Sequence, residues 1–292
     1  MAKTMMKRGI WLALGLVVIL AGTPAPAPAK DYPPELYIGG FLIGPQAYTF
    51  NRFSFFEAID KAKEAGASVI EAYPGQRLSP DDKRPFDHNA PPEVWAKAKM
   101  KLTRTGVRLV NYGVVGMGST EAEMRKVFDF ATIMGIPCVT TEPGNEADFD
   151  LLDKLVKEYD IKVAIHNHPK PSKYWDPNYV AKCLEGRDPR IGACADTGHW
   201  MRSGVKPMEA LQILEGRIVS SHLKDLNEFG NREAHDVHFG TGEAGIKEIL
   251  DEFRRQGFCG NISIEYEYNW DNNVGDVAAC IDFVREYGKT NP

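Results

Sequence analysis

A chain of 292 residues with 35 Lys and Arg against 40 Asp and Glu carries a formal net charge of −5. No run of Lys or Arg forms a basic stripe of the kind that tracks a phosphate backbone, so nucleic acid is a poor partner. The five cysteines are odd in number, widely spaced and set in apolar stretches such as "IPCVTT" and "IGACAD", which excludes a disulfide framework and a paired-cysteine zinc site and leaves them as packing residues.

Residues 1–29 open with the basic "MAKTMMKRG", continue with the thirteen apolar residues "IWLALGLVVILAG" and close on the small-residue run "APAPA". That order predicts a secretory signal peptide cut near Ala29, and the apolar run is shorter than the ~20 residues a membrane-spanning helix needs. The expected product is a periplasmic or secreted chain of residues 30–292, without stable membrane insertion after cleavage. Loss of Lys3, Lys7 and Arg8 takes its formal net charge from −5 to −8.

From residue 30 onward short apolar runs alternate with amphipathic segments of helix length. Strands are predicted at 35–44, 67–73, 107–115, 137–142, 162–167, 191–196, 218–225 and 261–268, each followed by a helix, at 54–66, 91–106, 120–135, 148–160, 177–186, 206–216, 244–257 and 273–288. Most of these helices close on Gly or Asp, residues that tolerate the left-handed turn ending a helix. Eight βα units in about 250 residues are the size and period of an α/β (β/α)8 TIM barrel. No G-x-G-x-x-G follows the first strand and no P-loop occurs, which disfavours an open doubly wound sheet. Without an internal repeat or a linker, residues 30–292 read as a single domain.

In such a barrel the chemistry sits at the C-terminal ends of the strands. Those ends carry Glu71, Glu142, His166 and His168, Asp196 and His199, His222, Lys224 and Asp225, and Glu265 and Glu267. Six of the seven histidines fall between His166 and His238. Imidazoles and carboxylates gathered on one rim supply N and O ligands suited to a divalent ion, Mn2+, Co2+, Zn2+ or Fe2+. Trp175, Trp200 and Trp270 lie just beyond strand ends, where an aromatic face can stack on a sugar ring.

"ADTGHW", then "SSHLKDLN" with its histidine 26 residues after Asp196, then "HFGTG" and "SIEYE", resemble the sugar phosphate isomerase/epimerase group of xylose isomerase-like barrels across essentially the whole of residues 30–292. "IHNHP" with "DTGHWMRSG" and "HLKDL" further resembles an exported bacterial subgroup. The resemblance implies that Asp196, His222 and Glu265 are metal ligands from strands six, seven and eight. Where ketose epimerases of this group place a glutamate at the end of strand five, this chain has His166, which makes His166 the expected fourth ligand. His168, two residues on and on the same side, faces the substrate or replaces His166 on the metal. The implied activity is a metal-dependent isomerase, epimerase or β-eliminating lyase on an unphosphorylated sugar or keto-sugar. Glu142, Glu265 or His168 would move the proton, and Lys224 would stabilise the enolate oxygen. Glu71, His199, Trp200 and Tyr48 complete the substrate-facing set. Two other readings stand beside this one: a sugar-binding barrel without catalysis, and a zinc-dependent apurinic endonuclease, whose ligands would match Asp196, His199, His222, Asp236, His238 and Glu265. The second needs histidines at strands two and three, where this chain has Glu71 and Asn111–Tyr112.

Overall fold

The computed structural model describes residues 32–291, so the leader expected over 1–29 lies outside the described residues. Eight strands form one sheet: β1 (Leu42–Pro45), β2 (Val69–Ala72), β3 (Arg108–Tyr112), β4 (Cys138–Thr141), β5 (Lys162–Ile165), β6 (Ile191–Asp196), β7 (Ile218–Leu223) and β8 (Asn261–Ile264). They pair in parallel in the order β1-β8-β7-β6-β5-β4-β3-β2. An isolated parallel bridge from Gln46 to Glu71 spans the remaining gap between β1 and β2 and nearly closes the barrel. Helices α1 (Phe55–Glu64), α2 (Pro92–Thr105), α3 (Glu121–Met134), α4 (Asp148–Tyr159), α5 (Pro177–Leu184), α6 (Pro207–Ile213), α7 (Ile246–Arg255) and α8 (Val274–Thr290) follow the strands in turn. The predicted (β/α)8 barrel is the observed fold.

Local sequence explains most of these elements. Ser54 with Glu57 and Thr120 with Glu123 form reciprocal capping boxes at the starts of α1 and α3. Gly106 and Gly135 take the left-handed conformation that ends α2 and α3. In α7 the buried Ile246, Ile249, Leu250 and Phe253 repeat at helical spacing along one stripe. The strands are buried along nearly their whole length, only the first residues Arg108, Lys162 and Ile218 reaching the surface, because helices cover their outer faces and side chains fill the lumen.

Three departures from the sequence reading have local causes. The strand expected over 35–44 begins only at Leu42, because Gly39 and Gly40, at φ 59° and 87°, turn the chain back so that Ile38 pairs with Phe41. The helix expected over 206–216 is shorter, and a separate helix, Thr197–Arg202, precedes it directly after β6. The strand expected over 218–225 stops at Leu223, and Asp225–Leu226 instead pairs antiparallel with Asp236–Val237.

β1 and β2 approach so closely that a Cβ on Gly44 would lie 2.0 Å from the Val69 carbonyl oxygen. Gly44→Ala is therefore expected to force the seam apart and cost about 1–3 kcal/mol or more in urea denaturation. Gly116→Ala, where a Cβ would meet nothing within 4 Å, is the matched control and should be near neutral.

Candidate active site

The C-terminal ends of β4 to β8 deliver ionisable side chains into one buried cluster, and parallel register explains why. Asp196 on β6 is paired with His222 on β7, and His222 with Ser263 on β8. With side chains alternating every second residue, Ser263 and Glu265 carry that inward layer to the end of β8 and beyond. His166 follows directly on β5, and its backbone N–H bonds the Thr141 carbonyl of β4.

Asp196 stands at the centre. Its Oδ1 accepts the His199 backbone N–H at 2.7 Å and so caps the Thr197–Arg202 helix. Its Oδ2 has His166 Nε2 at 3.5 Å, His199 Nε2 at 3.6 Å, His222 Nδ1 at 3.8 Å and Lys224 Nζ at 3.1 Å, yet makes no hydrogen bond among the described residues. Among the described residues His166 Nε2 and His222 Nδ1 are likewise buried without a hydrogen bond, with Glu265 Oε2 3.2 Å from His222 Nδ1. Buried polar atoms are normally satisfied, and three orphaned ones facing a common space are the donor atoms a cation would take up. One N or O atom from each of His166, Asp196, His199 and Glu265 lies within 4.8 Å of the others.

The other end of each histidine is anchored. His222 Nε2 lies 3.1 and 3.2 Å from the two Glu71 oxygens, and the Ser263 hydroxyl donates to Glu71 at 2.5 Å. His166 Nδ1 lies 3.1 Å from Glu142 Oε1. A carboxylate behind an imidazole fixes both its ring and the nitrogen left for a metal. Glu142 also accepts the His168 backbone N–H at 2.9 Å, has His168 Nδ1 at 2.6 Å and takes a bond from Ser172 at 3.2 Å.

Electrostatics follow from this packing. Burial opposes charge on His166, but Asp196 and Glu142 outweigh it and push its pKa up to about 9. His222 is held well above the usual histidine value against its burial by Cys194, Glu71 and Glu265. Burial drives His199 well below that value against the opposing pull of Asp196. Burial opposes the charge on Asp196, which His199, Lys224 and His166 nonetheless pull well down; Lys224 and His222 do the same for buried Glu265. Lys224, with no side-chain exposure, has Glu265 at 2.7 Å, Glu267 at 2.9 Å and Asp196 at 3.1 Å. Burial opposes its charge too, but these three carboxylates hold its pKa well above the ordinary lysine value.

Residues 59–287 match the family model described as xylose isomerase-like TIM barrel. The chain belongs to that family. Among solved structures, this xylose isomerase-like barrel is 34% identical to an uncharacterised protein from Parabacteroides distasonis, with TM-score 0.68 over 84% of this chain and 98% of that one. A xylose isomerase-like barrel from Mycobacterium smegmatis, solved in complex with magnesium, gives TM-score 0.69 at 12% identity over 87% and 99% of the two chains. The 3-keto-D-glucoside 4-epimerase of E. coli gives 0.62 at 12% identity over 84% and 99%. No curated protein matches the sequence.

Within this xylose isomerase-like barrel the expected metal residues His166, Asp196, His222 and Glu265 all reach the cluster, and His199, expected to face substrate, comes with them. Glu142 and His168 lie beside it as a bonded pair. Several expected substrate contacts sit elsewhere. Glu71 lies within β2, fully buried behind His222. Trp200 is 1% exposed and presents no open face. Lys224, expected at a substrate oxygen, faces three carboxylates instead. Tyr48 is at the mouth and 40% exposed. Of the endonuclease set, Asp196, His199, His222 and Glu265 reach the cluster, whereas Asp236 accepts from Arg202 at 3.2 Å and His238 faces Asp276 at 2.7 Å. Sequence reading passed over Ser263, Gln46 and Arg202. The alternation in "SIEYE" marks Ser263 as a neighbour of Glu265, whereas nothing local marks the other two.

Glu71→Ala removes the acceptor of both His222 and Ser263 inside the barrel and should cost about 3–5 kcal/mol in urea denaturation. Glu71→Gln keeps an acceptor oxygen there and should cost less than half as much.

Proposed function

We propose that this protein is an exported, divalent-metal-dependent isomerase or epimerase that acts on an unphosphorylated sugar or keto-sugar by removing a proton next to a carbonyl. The observation that carries the reading is the convergence of His166 Nε2, Asp196 Oδ2 and His222 Nδ1, buried atoms that make no hydrogen bond among the described residues. The donor set of imidazoles and carboxylates suits a borderline divalent ion. His166, Asp196, His222 and Glu265 would hold it, with His199 as an additional donor. When bound, such an ion supplies Lewis-acid polarisation of a carbonyl. The magnesium-bound and epimerase neighbours share the fold and support the reading on that ground.

The chain's own residues divide the remaining work. His168, its side chain 48% exposed, keeps Nδ1 on Glu142 and leaves Nε2 to take or return a substrate proton. Glu142 orients both His166 and His168, and Glu265 is the second candidate base. Lys224 holds Asp196, Glu265 and Glu267 in place and offsets their charge. Return of the proton to a neighbouring carbon or to the other face gives isomerisation or epimerisation, and loss of a β-substituent gives a lyase. The leader over 1–29 supports export, and a periplasmic substrate without phosphate fits it.

Three outcomes test this. Purified protein should hold a stoichiometric divalent ion that His222→Ala loses, although that variant is also destabilised because Glu71 is left behind it. Proton exchange in D2O with candidate ketoses and added Mn2+ or Co2+ should fall about 10²- to 10⁴-fold in His168→Ala with the metal retained; metal binding with no exchange on any ketose would instead mark a sugar-binding barrel. N-terminal sequencing of the protein recovered from the periplasm or medium should begin near Lys30, and an intact Met1 on a membrane-bound product would overturn export.

A further inference from the structure

Three aromatic rings gather beside the site at the seam where β1, β2 and β8 end. The Tyr48 centroid lies 5.2 Å from Tyr73 and 6.0 Å from Trp270, and its ring is edge-on to both at 79° and 90°. Tyr48 and Tyr73 each follow by two residues the Gln46–Glu71 bridge that closes the barrel, and Trp270 follows Glu265 by five. Tyr73 and Trp270 therefore leave the two strand ends that carry Glu71 and Glu265, and Tyr48 leaves the end of β1 between them.

These rings are exposed in part and yet held in place. Gln46 Oε1 accepts the Tyr48 backbone N–H at 2.5 Å while its Nε2 donates to the Gly113 carbonyl at 2.8 Å. Beyond Trp270, Asp271 pairs with Arg52 at 2.5 Å, and Asn269 donates to the Asn272 carbonyl and to Asp276. Among the described residues the Tyr48 and Tyr73 hydroxyls make no hydrogen bond, although Tyr73 is half-buried and its phenol is raised to about 12 by burial. His168, with Glu142 behind it, follows β5 on the far side of the mouth, whereas Glu265, the second candidate base, follows β8 on the trio's own side.

A pyranose ring has an apolar C–H face and a polar rim. A fixed aromatic surface with unengaged hydroxyls matches both, since the rings cover the face and the hydroxyls meet the rim. The reacting sugar must sit over the buried cluster, and the trio lies to one side of it. We infer that Tyr48, Tyr73 and Trp270 form a platform for a second sugar ring, so that the substrate is a glycoside or disaccharide rather than a free monosaccharide. This rests on the sugar reading of the site.

The test is a panel of immobilised mono- and disaccharides probed with the metal-loaded protein, followed by calorimetry on the best disaccharide and its component monosaccharides. At least one disaccharide is expected to bind about tenfold more tightly than either component. Trp270→Ala and Tyr73→Ala should each shrink that ratio to about threefold or less, with metal stoichiometry and far-UV CD unchanged. Equal binding of disaccharides and monosaccharides, or a ratio that both variants leave intact, overturns the platform. If monosaccharides bind and exchange protons without any disaccharide preference, the platform alone fails. If no sugar on the panel binds and no ketose exchanges, the sugar reading fails with it.

Discussion

The fully buried ammonium of Lys224, set among Asp196, Glu265 and Glu267, is the contact on which the mouth of the barrel depends. Three carboxylates within reach of one another in a water-poor space repel strongly, and left alone they would be protonated or turn outward. The lysine keeps Asp196 and Glu265 ionised and pointed inward, and Arg202 continues the neutralisation by bonding Glu267 at 2.9 Å and Asp236 at 3.2 Å. A purely apolar plug would pack the lumen at lower cost. Retaining so many charges there argues that the barrel is shaped around the chemistry at its rim.

Closure of the barrel and construction of the site share residues. Glu71 pairs through its backbone with Gln46 across the β1–β2 gap, while its carboxylate holds Ser263 and His222 from β8 and β7, the strands beyond β1. One side chain thus ties β2 through the lumen to the strands on the other side of the seam. Gln46 does the same for the loops, since it fixes Tyr48 and reaches Gly113.

Much of this was legible in the sequence. The alternation of apolar runs and amphipathic helices specifies eight βα units, the strand-end rule gathers the polar rim, and the family resemblance singles out His166, Asp196, His222 and Glu265 within it. What resisted reading were relations between distant segments. That Glu71 backs His222, 151 residues away, is a property of the closed lumen and has no local trace. Lys224 and Trp200 were assigned to substrate from position alone, because sequence says which strand end a residue follows but not whether its tip meets solvent or a carboxylate. The Thr197–Arg202 helix is too short to show a period, and the Gly39–Gly40 turn interrupts a run that otherwise alternates like a strand.

That short helix has a consequence for coordination. Because Asp196 Oδ1 accepts the His199 amide, it is Oδ2 that faces the cluster, and this aspartate would offer a cation there a single oxygen. Large, oxygen-loving ions such as Ca2+ fill shells of roughly six to eight oxygens with the help of bidentate carboxylates, whereas compact, nitrogen-tolerant ions are content with single contacts. A backbone amide that begins a helix would thereby bias the cluster toward compact ions without touching one.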